Sequence, residues 1–398
     1  MFIPYSSPNF YVSDLLPSLL TRKSVGAVEE FFRYYSGKKY ILVTTSCRAA
    51  LYLALSCLER QGEVITTPLA CRSALDPILW SGNKLAFADV DRKTLNHSDN
   101  NIIDLVRQGT VAIQIVNHGG IPFPVKRLKD KLPDGNQPII IEDCAQAFGA
   151  VQDGYPAGYF ADIACYSLIK NGYGIGGGIL ATDNHSIFEK AKELQCEFAS
   201  PSHLITAYRL IRNTLETYRH HKALNILYGK LIMAGKSHRQ SQAGRKELYL
   251  KRPHKLYAAV FLRQSKKINE LHLSRRKKGQ EMIQKLHKEG LITNYQNIDL
   301  SGCSFTKLFI SNPAFEAKGV LDYLHENNIE AKHLEQRADS ALQPLLDQIY
   351  GEDKYEGLEE CVNYKEINYK IISLPLYEKM KRKQIDFIIE KLRDYLSL

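Results

Sequence analysis

Six short apolar runs, at residues 40–43, 63–66, 84–88, 111–116, 139–141 and 163–168, constrain this chain more than any other feature. Each reads as a strand of three to six residues, and helix-capable stretches separate them. Residues 28–35 are helix-like, and Ala50, Leu51, Ala54, Leu55 and Leu58 recur at helical spacing behind a cap at Thr45 or Ser46. Strand and helix alternating in this way predict an α/β fold with a largely parallel sheet, because parallel neighbours need crossover connections that helices fill. Beyond residue 200 the pattern is helical at 204–218, where Leu204, Tyr208, Ile211, Leu215 and Tyr218 form one stripe, and again near 256–268 and 283–286. A strand at 307–310 and a final helix in QIDFIIEKLRDYL suggest a second, smaller α/β domain.

The length, 398 residues, suits two domains better than one, and 44% apolar with 24% charged residues describes a folded chain. No segment reaches 18 apolar residues without a charge and the N-terminus lacks a secretory pattern, so a cytoplasmic protein is expected. Eight cysteines without a CxxC pair argue against a zinc site, and no metal is expected. The formal charge of +10 is uneven: residues 201–280 hold 19 Lys or Arg against three Glu. Such a segment attracts anions, but no zinc finger or RNA-binding signature accompanies it, so no nucleic-acid partner is expected.

Ligands of open α/β sheets gather beyond the carboxyl ends of the strands. Three chemically rich stretches fall there: TTSCR after Val43, EDCAQA after Ile141, and SLIKNGYGIGGGIL around the end of the last run. Asp143 follows a wholly apolar strand, where a carboxylate is costly without a cationic or donor partner. Glu142, its neighbour on an extended backbone, should face the other way. Gln146 returns to the side of Asp143, Ser167 can donate to a phosphate, and Lys170 sits in a glycine-bounded turn as a candidate nucleophile. An amine, an acid and a phosphate cradle in this order are what a pyridoxal-phosphate site requires.

Taken together, TTSCRAALYLAL, the TPLA…SG…FADVD run, EDCAQAFGA, AGYFADIACYSLIKNGYGIGGGILAT, RPHKLYAAV followed by RR, and SLPLY resemble the DegT/DnrJ-type sugar aminotransferases. The resemblance implies fold type I of the pyridoxal-phosphate-dependent transferases: a large domain at 1–199 and a connecting helix with the small C-terminal domain at 249–398. It implies pyridoxal 5'-phosphate as cofactor, Lys170 as the Schiff-base lysine, Asp143 as partner of the pyridine nitrogen, Gln146 as a ring-oxygen contact and Ser167 as a phosphate ligand. A nucleotide-linked keto-sugar or similar anionic small molecule as acceptor, glutamate as amino donor and a homodimer follow in the same way.

Several positions depart from the family pattern. Cys47 and Arg48 replace the usual Gly-Thr, and the guanidinium of Arg48 is a candidate phosphate ligand. No aromatic stands near Cys71 to stack on the ring, NHGG puts Asn117 and His118 at a usual substrate position, and the lysine loop is about two residues short. Leu250 replaces an asparagine while Arg252 survives nearby; Arg252 and His333 complete the substrate or partner-site candidates. A basic helical insertion occupies roughly 200–248. Dimer packing or core extension is its simpler explanation, although 204–245 would also suit a helix lying on an anionic membrane. Two rival functions are an aminotransferase acting on a cyclitol or other cyclic ketone, and a non-catalytic scaffold that kept the fold.

Overall fold

The computed structural model describes residues 2–11, 25–133, 135, 137–219, 221, 224–230, 232, 246–333 and 342–397. In chain order the strands are β1 (Tyr40–Thr44), β2 (Glu63–Thr66), β3 (Lys84–Phe87), β4 (Thr110–Val116), β5 (Ile139–Asp143), β6 (Val151–Gln152), β7 (Tyr155–Pro156), β8 (Ile163–Ser167), β9 (Gly178–Thr182), β10 (Leu308–Ser311), β11 (Lys332–His333), β12 (Tyr355–Glu356) and β13 (Ile371–Leu374). Eight of them form one sheet in the order β1-β9-β8-β5-β4-β2-β3-β12. All pairs in it are parallel except those of β9, which runs antiparallel to both β1 and β8. The expected α/β architecture is therefore present, with one reversed strand that the glycine-rich sequence hid.

Every residue of β4, β8 and β9 is buried, which is why these strands read as continuous apolar runs without alternation. On one face the helices Val25–Ser36 and Lys255–Ser265 lay Phe32 and Phe261 against Phe148 and Tyr166, with centroids 5.2–5.4 Å apart for the Phe32 pairs. On the other, the helix Cys47–Ser56 buries Ala50, Leu51, Ala54 and Leu55. Ser46 is its cap: the hydroxyl accepts the Ala49 N–H at 3.2 Å, an interaction worth about 1 kcal/mol.

A second core gathers under a three-stranded antiparallel sheet, β10-β13-β11, with the helices Ile268–Lys288, Ala317–Glu326 and Arg382–Leu396. Ile3 packs into it and pairs with Ile329, so the extreme N-terminus crosses from one core to the other. Leu342, Leu346, Leu358 and Tyr364 return to the first core, where β12 adds to the edge of the main sheet beside β3. Packing thus divides the tail beyond residue 249 between both cores.

The insertion folds as the helix His203–Thr217, capped by Ser202, but it does not bury its apolar stripe. Leu204 and Ile211 are 84% and 54% exposed, while Thr206, Asn213 and Thr217 face inward. The inward face is largely polar, with Asn213 Nδ2 donating to the Gly174 carbonyl at 3.0 Å, while Leu210, outside the stripe, packs against Phe10, Ile175 and Tyr257. His220, residues 222–223, 231 and 233–245 lie outside the described residues. Among those described, no helix is long and apolar enough to cross a membrane.

Candidate active site

The parallel strands β1, β8, β5 and β4 end at a common edge and bring Ser46–Cys47, Ser167, Asp143 and Asn117–His118 together there. Because β9 is reversed, its first residue, Gly178, starts at the same edge. A Cβ on Gly178 would lie 2.3 Å from the Ser46 carbonyl carbon, so only glycine lets β9 approach the helix start this closely.

Asp143 is buried and its Oδ1 accepts the Ala145 N–H at 2.9 Å. The Cys47 sulfur lies 3.4 Å from that oxygen and 3.4 Å from the Cys165 carbonyl, within donating distance of either. Burial first, and then the Asp143 carboxylate, push the Cys47 thiol well above its ordinary range, so it remains a neutral donor. Lys170 acts on the same thiol in the opposite sense, as a smaller influence than burial or the Asp143 carboxylate. Ser167, buried at the end of β8, accepts the Ile169 N–H at 3.4 Å and keeps its hydroxyl proton for donation.

Gln146 is held by its carbonyl end. Its Oε1 accepts the Gly119 N–H at 3.1 Å, while its backbone carbonyl accepts the Ser304 hydroxyl at 2.8 Å and that of Thr306. The NHGG turn makes this possible, since Gly120 adopts φ +87 and a Cβ there would lie 2.2 Å from Ser304 Oγ. Asn117 is a strut: Nδ2 donates to Glu142 Oε1 at 2.8 Å and Oδ1 accepts the Phe123 N–H at 2.8 Å. Glu142 does face away from Asp143, taking the Gly158 N–H at 2.9 Å on its other oxygen. Burial raises its carboxyl to about 7, against the pull of the Asn117 and Gly158 donors. The His118 N–H donates to Asn96 Oδ1 at 2.8 Å.

Other candidates are turned elsewhere. Arg48 stands at the helix start, yet its guanidinium donates to Ser73 Oγ at 2.6 Å and lies 4.1 Å from the centre of the Tyr249 ring. Cys71 precedes the helix Arg72–Trp80, half-buried against the first core. Arg252 reaches Ser200 Oγ at 2.6 Å on an exposed surface, and His333 donates from Nε2 to the Asn368 carbonyl at 2.8 Å within the small sheet.

The lysine loop is fixed from three sides by residues whose roles the sequence did not reveal. Asn171 donates to the Phe148 carbonyl at 2.9 Å and accepts from Arg275, and its own carbonyl accepts from His272 Nε2 at 2.9 Å. Arg275 forms a buried ion pair with Glu378, which also accepts the Tyr173 hydroxyl at 2.5 Å and the Asn9 amide at 3.2 Å. Asn213 holds Gly174 from the insertion. A cleft of about 220 Å³ opens beside Lys170, lined also by Tyr5, Arg212, Glu216, Lys307 and Tyr377. The available signal was weak: Glu378 directly follows SLPLY and Arg275 opens the RR pair.

Two buried histidines brace this arrangement and make it acid-sensitive. His97 accepts the Val116 N–H on Nε2 at 2.9 Å, and burial lowers its pKa from 6.5 to about 3; burial likewise takes His272 to about 4. Both fold as neutral rings, so their contribution is complete above about pH 6.5 and is lost as the pH falls through 4 towards 3. Urea midpoints measured from pH 7 to 4 are expected to fall, and His97→Gln, which keeps an acceptor but cannot titrate, to fall less steeply. An equal slope in that variant would remove His97 from the explanation.

The DegT/DnrJ/EryC1/StrS aminotransferase family model matches residues 11–209 and 222–393. The chain belongs to this family. Among its relatives, an uncharacterized protein of Methanocaldococcus jannaschii is 34% identical over 171 residues, covering 42% of this chain and 44% of its own. GDP-perosamine synthase of Escherichia coli is 26% identical over 202 residues, covering 48% and 55%. The chain therefore spans about half the length of the curated relatives it matches. The fold extends further than the sequence match. The E coli GDP-4-keto-6-deoxy-D-mannose-3-dehydratase with bound hydrated PLP superposes with a TM-score of 0.76 at 16% identity, covering 98% of this chain and 100% of that one. Family membership and the fold type I architecture are thus established together.

Proposed function

We propose that this family member is a pyridoxal-phosphate-dependent aminotransferase that carries an amino group from glutamate to a nucleotide-linked keto-sugar, as a cytoplasmic homodimer serving polysaccharide synthesis. One observation carries the reading: Asp143 ends β5 and Lys170 follows the end of its parallel neighbour β8, so acid and amine stand at one edge of the sheet.

The residues present fit the cofactor. A buried carboxylate already holding two donors suits a third from a protonated pyridine nitrogen. Gln146, anchored through Oε1, has its NH2 end to offer a ring oxygen. The Ser167 hydroxyl and the first-turn amides of the helix Cys47–Ser56 supply phosphate donors, where a helix N-terminus favours negative charge. Arg48 would reach that phosphate only by leaving Ser73 and Tyr249, so the amides are the preferred ligands.

When bound, the cofactor supplies an electron sink for the carbon that gains or loses the amino group. Lys170 Nζ would hold it and would move a proton to and from the reacting carbon, and Asp143 would accept a hydrogen bond from the pyridine nitrogen. Tyr5 and Tyr377 line the cleft beside Lys170.

The test is spectroscopic. Protein loaded with pyridoxal phosphate should absorb in the visible, lose that band with glutamate while releasing 2-oxoglutarate, and regain it with a nucleotide-linked keto-sugar. A bound cofactor that exchanges with no donor in a broad panel would instead support a non-catalytic scaffold.

A further inference from the structure

The family match breaks at residues 210–221, and the structure shows what part of that break does. Arg212, Asn213 and Glu216 from it line the cleft beside Lys170. Asn213 fixes the lysine loop through the Gly174 carbonyl at 3.0 Å, Glu216 accepts the Ser6 hydroxyl, and the Thr217 carbonyl accepts from Ser7 Oγ at 3.5 Å. The turn is thus built into the site and joined to the N-terminal segment on its other side.

Lys307 lines the same cleft. Its backbone N–H meets the Gly119 carbonyl at 3.4 Å, and its neighbours Ser304 and Thr306 donate to the Gln146 carbonyl, so its position is tied to the ring-binding side of the site. Arg212 is tied to the lysine-loop side. Its Nε and Nη2 lie 3.3 and 3.1 Å from Asn213 Oδ1, a neutral acceptor that leaves the positive charge uncompensated by that contact. Glu216 is the carboxylate among the cleft-lining residues, and Arg275 is already paired with Glu378.

We propose that residues 210–217 form a chain-specific wall of the substrate cleft, in which Arg212, together with Lys307 of the same cleft, binds the diphosphate of the activated sugar and sets acceptor specificity. This deepens the aminotransferase reading and rests on it. A guanidinium fork and an ammonium on separate elements match a group with several charged oxygens, and the fork gives the geometry that a lone ammonium lacks.

The full-length, cofactor-loaded protein is titrated with GDP, UDP, inorganic pyrophosphate and glutamate, in the wild type and in Arg212→Gln, Arg212→Lys and Lys307→Gln. Nucleoside diphosphate affinity should fall at least about tenfold in both glutamine variants, as loss of a charged hydrogen bond predicts, and recover in part in Arg212→Lys. Pyrophosphate weakened in parallel would assign the effect to the phosphates and support the proposal. Unchanged nucleotide affinity in the glutamine variants, or a loss confined to glutamate, would overturn it. The thermal midpoint and cofactor absorption report folding; should Arg212→Gln fail to fold, Lys307→Gln decides. Failure of the parent reading is distinct, because the wild type itself would then show no response of the cofactor band to glutamate.

Discussion

Lys170→Ala is expected to fold with an unchanged thermal midpoint, to lose the visible absorption of the cofactor-loaded protein, and to transfer amino groups at least about a thousandfold more slowly. The fold should tolerate the change because the loop is held by its neighbours: Asn171 by Phe148 and Arg275, Tyr173 by Glu378, and Gly174 by Asn213. Chemistry should not tolerate it, since alanine can neither hold the cofactor covalently nor carry a proton. Absorption at varying cofactor concentration, read beside turnover, separates weak binding from lost reactivity. Colour and turnover surviving in the variant would move the nucleophile to another residue.

The largest stability effect is expected at Glu378. Its side chain and that of Arg275 are 3% and 9% exposed, so the pair is desolvated on both sides. Glu378→Ala would leave a buried guanidinium facing Asn171 and the Tyr173 ring, and removal of one partner from a buried pair costs about 3–5 kcal/mol. Glu378→Gln, which keeps an acceptor for Tyr173 and Asn9 but no charge, should lie between that variant and the wild type. Urea unfolding midpoints give the order. Cofactor affinity should fall in the same order, because the pair positions the loop that carries Lys170. An alanine variant as stable as the wild type would mean that the pair contributes only geometry.

Much of the candidate site was legible because a carboxylate or an amine beside an apolar strand leaves a strong local mark. Asp143 stood out as a carboxylate directly after an apolar strand, and Lys170 as an amine within a glycine-bounded turn. The glycines were informative for a steric reason that holds in the structure at Gly178 and Gly120. Supporting residues left no such mark. Glu378 and Tyr173 are 205 positions apart, and their hydrogen bond exists only once both cores have formed. The stripe of the helix His203–Thr217 misled for a related reason: apolar periodicity locates a buried face only when the neighbouring surface is apolar, and here the neighbour includes the polar backbone of the lysine loop.

By itself, the sequence determined six of the eight strands of the main sheet, their parallel order and the acid and amine near its edge. These follow from local spacing and from the high cost of polar groups beside apolar strands. Only the tertiary structure decided that Cys47 lies against Asp143, that Arg48 turns away towards Ser73, and that the insertion walls the cleft. Those outcomes depend on which long-range surface each side chain meets, and no local pattern along the chain encodes that.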